Sequence, residues 1–196
     1  MPKPKTTSNK KRLVVAMCGA SGVYVTRLLL AKSPWPVLFV ASPWAEKVYR
    51  RECGSFQTLL QAAQDVFAYE DMSAPIASGS TSTVGMVVMP CSANTLGHIA
   101  NGLGDNLITR AAHCHLKERR PLILGLRETP LTAIDLDNAA KVAAAGGTIM
   151  PITPPFYMHE GKTPETVTLH DLMDVYVDRV FSLLGQQMGE TWEDIR

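Results

Sequence analysis

The segment Val84-Gly-Met-Val-Val-Met-Pro-Cys-Ser-Ala-Asn-Thr-Leu-Gly-His98 decides the fold of this chain. It begins with an apolar run of strand length that Pro90 closes, which is typical of a buried parallel strand. Small and hydroxyl residues follow at once, so we expect hydrogen-bond donors at the carboxyl end of the strand. The segment therefore predicts a buried strand that leads into a polar turn.

A helix and a second apolar strand come next along the chain. Residues 107–119 predict the helix, in which Arg110 and Lys117 are two turns apart and share one face. Pro121-Leu-Ile-Leu-Gly-Leu126 predicts the strand, which delivers Arg127 and the glutamate after it. We therefore expect two strand ends and one helix to bring three cations, a carboxylate and several hydroxyls to one place. Such a cluster suits chemistry on an anion, in particular a phosphate.

The same alternation of strands and helices extends over the rest of the chain. Further strands are predicted at 12–17, 36–41, 66–69 and 148–152, and further helices at 23–32, 44–52, 56–63, 133–145 and from 168 onwards. This order predicts a parallel sheet covered on both faces, a single doubly wound α/β domain of the Rossmann or flavodoxin-like type. We place this domain at 11–185, between a mobile basic tail at 1–10 and a C-terminal tail at 186–196. Ligands of such domains bind beyond the carboxyl ends of the strands.

The composition limits the function classes. With 196 residues, of which 46 % are hydrophobic and 19 % charged, the chain is typical of a globular protein. A net charge of +1 argues against nucleic acid or an acidic membrane as partner, although the basic tail leaves a nucleic-acid arm open. The apolar run Leu13 to Met17 is too short for a signal peptide, and no segment reaches transmembrane length. Four cysteines without a C-x-x-C pair indicate reduced thiols, so we expect a cytoplasmic protein.

Two features each allow two interpretations, and a third is ordinary. Gly19-Ala-Ser-Gly22, between a strand and a helix, either offers backbone N–H groups to a phosphate or is a plain tight turn. Arg179 borders the apolar stripe of the last helix, so it needs either a carboxylate elsewhere in the fold or an anionic ligand. His113-Cys-His115 does not predict a metal site, because neighbouring helix positions point in different directions.

Six motifs resemble the flavin prenyltransferase family (UbiX-type proteins, once described as aromatic acid decarboxylases). They are Gly19-Ala-Ser-Gly22, Pro90-Cys-Ser-x-x-Thr-Leu96, Asp105-Asn-Leu-Ile-Thr-Arg-Ala-Ala112, Leu116-Lys-Glu-Arg-Arg-Pro-Leu122, Arg127-Glu-Thr-Pro-Leu131 and Pro154-x-Phe-Tyr157. The similarity runs from Arg12 to Gly185. The chain departs from the family after Gly22, where its loop is one residue shorter and lacks a second glycine. It is also several residues longer between Tyr157 and Arg179.

The resemblance implies transfer of a dimethylallyl group from dimethylallyl phosphate to N5 and C6 of reduced FMN. The product, prenylated FMN, serves a separate decarboxylase of the UbiD type. Such proteins are usually homododecamers that hold FMN between subunits and use no catalytic metal. The implied FMN contacts are Gly19, Ala20, Ser21, Ser42, Ser92, Ala93, Asn94, Thr95 and Arg110. The implied prenyl-phosphate contacts are Lys117, Arg127, Tyr157 and Arg179, with Trp192 covering the prenyl group and Ser21, Glu52 and Glu128 handling protons.

Two other functions remain open from the sequence. Ser92-Ala-Asn-Thr95 also resembles the FMN-dependent cysteine decarboxylases, including phosphopantothenoylcysteine decarboxylase. Those enzymes use a catalytic histidine, and no histidine lies between Met1 and Gly97 where it is expected. The altered loop after Gly22 supports an FMN-binding subunit without transferase activity. The sequence does not distinguish a monophosphate from a diphosphate prenyl donor.

Overall fold

The structure, a computed structural model, describes residues 11–154 and 162–189. The described strands are β1 (Leu13–Met17), β2 (Val37–Ala41), β3 (Asp65–Phe67), β4 (Gly85–Cys91), β5 (Leu122–Leu126) and β6 (Thr148–Ile149). The described helices are α1 (Tyr24–Lys32), α2 (Pro43–Glu52), α3 (Phe56–Leu60), α4 (Ala93–Ala100), α5 (Leu107–Lys117), α6 (Ala133–Ala144) and α7 (Leu169–Leu183). The tail at 1–10, and most of the tail predicted at 186–196, lie outside the described residues, so these domain boundaries stay predictions.

The strands form one parallel sheet in the order β3-β2-β1-β4-β5-β6 within the described chain. β1, β4 and β5 are buried along their whole length, because helices cover both faces of the sheet. Alternate residues of β1 point to opposite faces, so Leu13 and Val15 join one core cluster and Val14 and Ala16 the other. The predicted doubly wound α/β fold is confirmed. None of the described helices has the length and apolar content that a membrane span needs.

Strand β4 differs from its prediction at its carboxyl end. Pro90 does not close the strand, which continues to Cys91. The pairing register with β5 shifts between Val88 and Cys91, and a proline is tolerated in a sheet at such an irregularity. The carbonyl of Pro90 accepts a hydrogen bond from the N–H of Cys18 at 3.0 Å, so the proline still contributes to the sheet edge.

The start of one helix, α6, agrees with its prediction, whereas another helix, α4, was not predicted. The capping box of Thr132 and Asp135 at the start of α6 is present as predicted. Helix α4, in contrast, occupies residues for which the sequence predicts a polar turn. Its small and polar residues hide the pattern, while Leu96 and Ile99 are buried against the sheet and stabilise the helix through packing.

Candidate functional site

The loops that follow the strands are held next to one another at the carboxyl edge of the sheet. The N–H of Ser42 donates to the carbonyl of Met17 at 2.9 Å, which joins the loops after β2 and β1. The N–H of Arg127 donates to the carbonyl of Cys91 at 2.9 Å, which joins the loops after β5 and β4. Four strand ends therefore form one continuous rim.

The strand order reverses between β1 and β4, and doubly wound proteins bind ligands at this switch point. The loop after β1 carries Gly19-Ala-Ser21, and β4 leads directly into Ser92 to Thr95. Because the N–H of Cys18 donates a hydrogen bond to the carbonyl of Pro90, the two loops begin next to each other. The structure thus brings together the FMN contacts predicted in both loops.

Two helices begin at this rim with a serine cap. The hydroxyl oxygen of Ser42 accepts from the N–H of Ala45 at 3.2 Å, at the start of α2. The hydroxyl oxygen of Ser92 accepts from the N–H of Thr95 at 3.3 Å, at the start of α4, and its own O–H donates to the Thr95 hydroxyl at 3.1 Å. Helix N-termini favour negative charge, so the rim carries two places suited to part of an anion.

Gly19 is required by a close approach between the first loop and α2. A Cβ at this position would lie 2.5 Å from the Cβ of Trp44, a contact that real side chains do not make. The indole of Trp44 is 67 % exposed and lies under the ammonium of Lys47, 4.1 Å from the ring centroid. The sequence does not predict this aromatic group beside the glycine-rich turn.

Glu52 reaches the same turn from the far end of α2. Its Oε2 accepts from the N–H groups of Gly22 at 3.0 Å and Val23 at 3.1 Å, and its Oε1 lies 3.3 Å from the Gly22 nitrogen. These two N–H groups, which could have faced a phosphate, thus bind a carboxylate of the protein. Ser21 is exposed and directly precedes Gly22, so the structure brings together Ser21 and Glu52, two of the predicted proton-handling residues.

Two cysteines are buried beneath the rim. Burial raises the pKa of Cys18 to about 11, against the opposing effect of hydrogen bonds from Thr95 and Ser92. Burial also raises the pKa of Cys91 well above its ordinary value. Because the thiolate is the nucleophilic form, both side chains act as packing beneath the site.

Two arginines approach the rim from β5 and α5. Arg127 directly follows β5 and is half-buried, and within the described residues no carboxylate pairs with it. Helix α5 also begins at the rim, because the N–H of Leu107 donates to the carbonyl of Tyr69 at 2.9 Å. Arg110, in the first turn of α5, donates from Nε to the carbonyl of Ala77 at 2.9 Å.

Lys117 lies at the opposite, amino edge of the sheet. It ends α5, its ammonium is 2.9 Å from Glu118 Oε1, and a Cβ on Gly79 would lie 2.7 Å from it. The five residues of β5 separate this edge from Arg127, which corresponds to roughly 16 Å at the usual rise of a strand. The prediction that three cations of one chain meet in one place is therefore wrong. Arg110 and Lys117 share a face of α5, but α5 runs from one edge of the sheet to the other.

A second cation of the amino edge, Arg120, has partners from the loop before β4. The terminal nitrogens of Arg120 donate to the carbonyl of Gly79 at 3.0 Å, to the Thr83 hydroxyl at 3.2 Å and to the carbonyl of Thr81. His115 is buried beside it, with Nε2 2.8 Å from the Thr83 hydroxyl. Arg120 and His115 therefore hold the protein's own chain together at this edge.

The remaining candidates are Arg179, Glu128, Tyr157 and Trp192. Arg179 is exposed on α7 rather than at a buried edge, and among the described residues no ion pair reaches it. Its interpretation as a partner of a carboxylate within the fold therefore finds no support in this part of the chain. Glu128 is exposed, and its Oε1 accepts from the N–H of Thr129 at 3.1 Å. Tyr157 and Trp192 lie outside the described residues.

The histidines of α5 have separate environments. His115 Nδ1 is 2.7 Å from the carbonyl of Ala111, whereas His113 packs near Gly102 and Gly104. Within residues 11–154 and 162–189, no three histidine, cysteine or acidic side chains are grouped as metal ligands.

Several known proteins are similar to this chain in both fold and sequence. The family described as Flavoprotein matches residues 1–181. A probable UbiX-like flavin prenyltransferase of Bacillus subtilis is 38 % identical over 192 residues, which cover 95 % of this chain and 91 % of that protein. The crystal structure of AnUbiX (PadA1) in complex with FMN and dimethylallyl pyrophosphate has a TM-score of 0.84 and 37 % identity, covering 93 % of this chain and 99 % of that one. The dodecameric FMN-dependent UbiX-like decarboxylase from Escherichia coli O157:H7 also has a TM-score of 0.84, with 34 % identity over 92 % and 98 % of the two chains.

A glycine-rich turn at the switch point and two capped helix N-termini along the same rim are typical of a doubly wound nucleotide-binding protein. With the matches above, the chain belongs to the Flavoprotein family and, within it, to the flavin prenyltransferases of the UbiX type.

Proposed function

We propose that this protein transfers a dimethylallyl group from dimethylallyl phosphate to N5 and C6 of reduced FMN. The observation that carries the proposal is the rim of four strand ends, where the family's flavin-site motifs meet. In this reaction the bond between the allylic carbon and oxygen breaks and the phosphate leaves with the electron pair. A C–N bond replaces the N5–H bond, and a C–C bond replaces the C6–H bond as the prenyl double bond takes up a proton. The net result is one C5H8 unit added to the flavin and one proton released to the phosphate. Reduced FMN is the prenyl acceptor and arrives already reduced.

The rim fits a flavin and its phosphate. Ser42 and Ser92 cap two helices that begin there, and the loop after β1 lies against the start of α2 at Gly19. Arg110 holds its Nε on a carbonyl, which orients the terminal nitrogens of its guanidinium. In the proposed complex these groups, with Ala20, Ser21 and Ala93 to Thr95, bind FMN, and Arg110 neutralises its phosphate.

The leaving phosphate requires cations that stabilise the charge developing on it. Arg127 supplies one from the rim, and Glu128 beside it exchanges a proton with the phosphate. Lys117 cannot join them within one chain, because it lies at the opposite edge. We therefore place Lys117 in the phosphate site of a neighbouring subunit, with Tyr157, Arg179 and Trp192 completing that site.

This arrangement requires a homo-oligomer, for which we propose a dodecamer. The E. coli relative at 34 % identity is described as dodecameric. In a closed symmetric assembly every subunit makes the same set of contacts with its neighbours. Every subunit then receives one Lys117 and supplies another. We further propose that a UbiD-type decarboxylase receives the prenylated FMN, because the modified flavin is a cofactor for a second protein.

The mass of the flavin product tests the reaction. Purified protein is incubated anaerobically with reduced FMN and either dimethylallyl phosphate or the diphosphate, and the extracted flavin is analysed by mass spectrometry. The proposal predicts a flavin heavier by one C5 unit with at least one donor, and the two arms identify the donor. Bound but unmodified FMN in both arms would instead favour the FMN-binding subunit.

The cysteine decarboxylase is the less favoured alternative. Curated relatives at 35 % to 41 % identity are flavin prenyltransferases, and β1 to β3 contribute no histidine to the described rim. A parallel incubation with a peptide that ends in cysteine and with phosphopantothenoylcysteine tests this reading. Release of carbon dioxide from either substrate would overturn the transferase assignment.

A further inference from the structure

Helix α1 begins without a capping side chain of its own. Val23 occupies the N-cap position, and its side chain can accept no hydrogen bond. The first N–H groups of a helix have no partner within the helix, so they need an acceptor from elsewhere. Gly22 directly before it has φ +86°, a conformation that few other residues adopt. The residues next to this turn therefore supply no side-chain acceptor for the first N–H groups of α1.

Glu52 supplies the missing cap from thirty residues along the chain. Its Oε2 accepts the two shorter bonds, from Gly22 at 3.0 Å and Val23 at 3.1 Å. A carboxylate at a helix N-terminus also interacts favourably with the helix dipole. Glu52 thus takes the place of an N-cap residue and ties the end of α2 to the start of α1.

Helix α2 consequently lies across the rim and contacts the first loop at both ends. At its start, the N–H of Ser42 binds Met17, and Trp44 packs against Gly19. At its end, Glu52 binds the residues that follow Ser21. The exposed turn from Gly19 to Ser21 is therefore held between two fixed points on one helix.

We infer that Glu52 is a positioning residue for the flavin-binding turn, acting through the backbone N–H groups of Gly22 and Val23, in addition to the proton exchange that the family resemblance implies for it. The inference rests on the proposed function for its consequence, which is that the position of Ser21 against the flavin depends on Glu52. The hydrogen bonds themselves are a property of the protein without ligand. The two roles make different demands, since positioning needs an acceptor of the right reach and proton exchange needs a carboxyl group.

Two substitutions separate these demands. Glu52→Gln keeps the reach and one oxygen, which can accept both shorter bonds, but it cannot exchange a proton. Glu52→Asp keeps the carboxyl group but withdraws it by about 1.5 Å, the length of one carbon–carbon bond, beyond reach of the turn. Glu46→Gln and Glu46→Asp are matched controls, because Glu46 lies on the same helix and pairs with Arg50 alone among the described residues.

Hydrogen exchange of the ligand-free oligomer, followed by mass spectrometry of peptides covering residues 18–26, measures the turn directly. We expect the amides of Gly22 and Val23 to exchange about tenfold faster in Glu52→Asp, while Glu52→Gln stays within about threefold of the parent. Both Glu46 variants leave this segment unchanged. Equal exchange in Glu52→Asp and the parent would overturn the inference.

Flavin binding and turnover supply the second readout. Titration of FMN fluorescence is expected to show about tenfold weaker binding in Glu52→Asp and less than threefold in Glu52→Gln, whose kcat falls while its KM for flavin holds. The reverse order of affinities would show that charge, rather than position, is what Glu52 contributes, and would overturn the inference. If the parent protein forms no prenylated flavin, the proposed reaction fails, but the exchange experiment on the ligand-free protein still decides the role of Glu52.

Discussion

The two edges of the sheet carry similar polar side chains but use them differently. At the amino edge, Lys117 pairs with Glu118, and Arg120 donates to the loop before β4. At the carboxyl edge, Ser21 is exposed, and Arg127 is half-buried without a carboxylate partner in the described chain. The difference shows that composition does not locate a site. The site is instead indicated by polar side chains that have no partner in the described chain, such as Arg127.

Arg127→Ala is expected to have the largest effect on the carboxyl edge. Removing a cation that stabilises a leaving phosphate should lower kcat by about 10²- to 10³-fold, while the thermal midpoint stays unchanged because the side chain has no described partner to lose. Single-turnover kinetics of prenyl transfer measure the loss. Arg50→Ala is the control, since Arg50 lies on the surface and, among the described residues, pairs with Glu46 alone. A loss below threefold would remove Arg127 from the site.

His115 makes the amino edge sensitive to acid. Burial, helped by the neighbouring Arg120, lowers the pKa of His115 from 6.5 to about 4. In the unfolded chain His115 therefore binds a proton below about pH 6.5, whereas in the folded chain it binds one only below about pH 4. We expect the contribution of His115 to the free energy of unfolding to be fully present above pH 6.5 and to be lost as the pH falls towards 4, by about 3 kcal/mol in all.

Urea unfolding at several pH values between 7.5 and 4.5 checks the effect of His115. His115→Asn should remove most of the slope in this window, although it lowers stability at neutral pH by breaking the bond to Thr83. If parent and His115→Asn lose stability in parallel, other groups cause the acid sensitivity.

Two glycines sharpen the comparison between the edges. A Cβ on Gly19 would meet the Cβ of Trp44, which its helix holds in place. A Cβ on Gly79 would meet the far ends of Lys117 and Glu118, which can move aside. We expect Gly19→Ala to cost about 1–3 kcal/mol and to weaken FMN binding, and Gly79→Ala to cost under about 0.5 kcal/mol.

Thermal unfolding and FMN titration of both glycine variants provide the measurement. Gly104→Ala serves as a further control, because a Cβ there meets only ordinary contacts of 3.6 Å and longer. Equal losses in Gly19→Ala and Gly79→Ala would mean that the first loop is no more constrained than the amino edge.

The sequence predicts the fold well because apolar strands and helices alternate over its whole length. It predicts the members of the rim for the same reason, since the carboxyl ends of parallel strands lie together. It does not predict that α2 crosses the rim, because nothing in the pattern gives the direction of a helix. The absence of a capping residue before α1 indicates that an acceptor from elsewhere in the chain caps this helix, but it does not identify that acceptor as Glu52.

Lys117 shows the limit of periodicity. Seven residues of helix return a side chain to the same face but move it about 10 Å along the axis, which here carries it to the other edge. Pro90 shows a second limit, because an irregular register allowed β4 to continue through it. Both errors arose from treating a local rule as a three-dimensional position.

The central claim is that one active site takes Arg127 from one chain and Lys117 from another. Lys117→Ala and Arg127→Ala subunits, each inactive alone, are co-expressed with different tags, and the mixed oligomers are purified and assayed for prenyl transfer. With random assembly, about a quarter of the sites receive both native residues, so the mixture should recover about a quarter of the parent kcat. Activity no higher than that of the two separate variants would contradict a site shared between subunits.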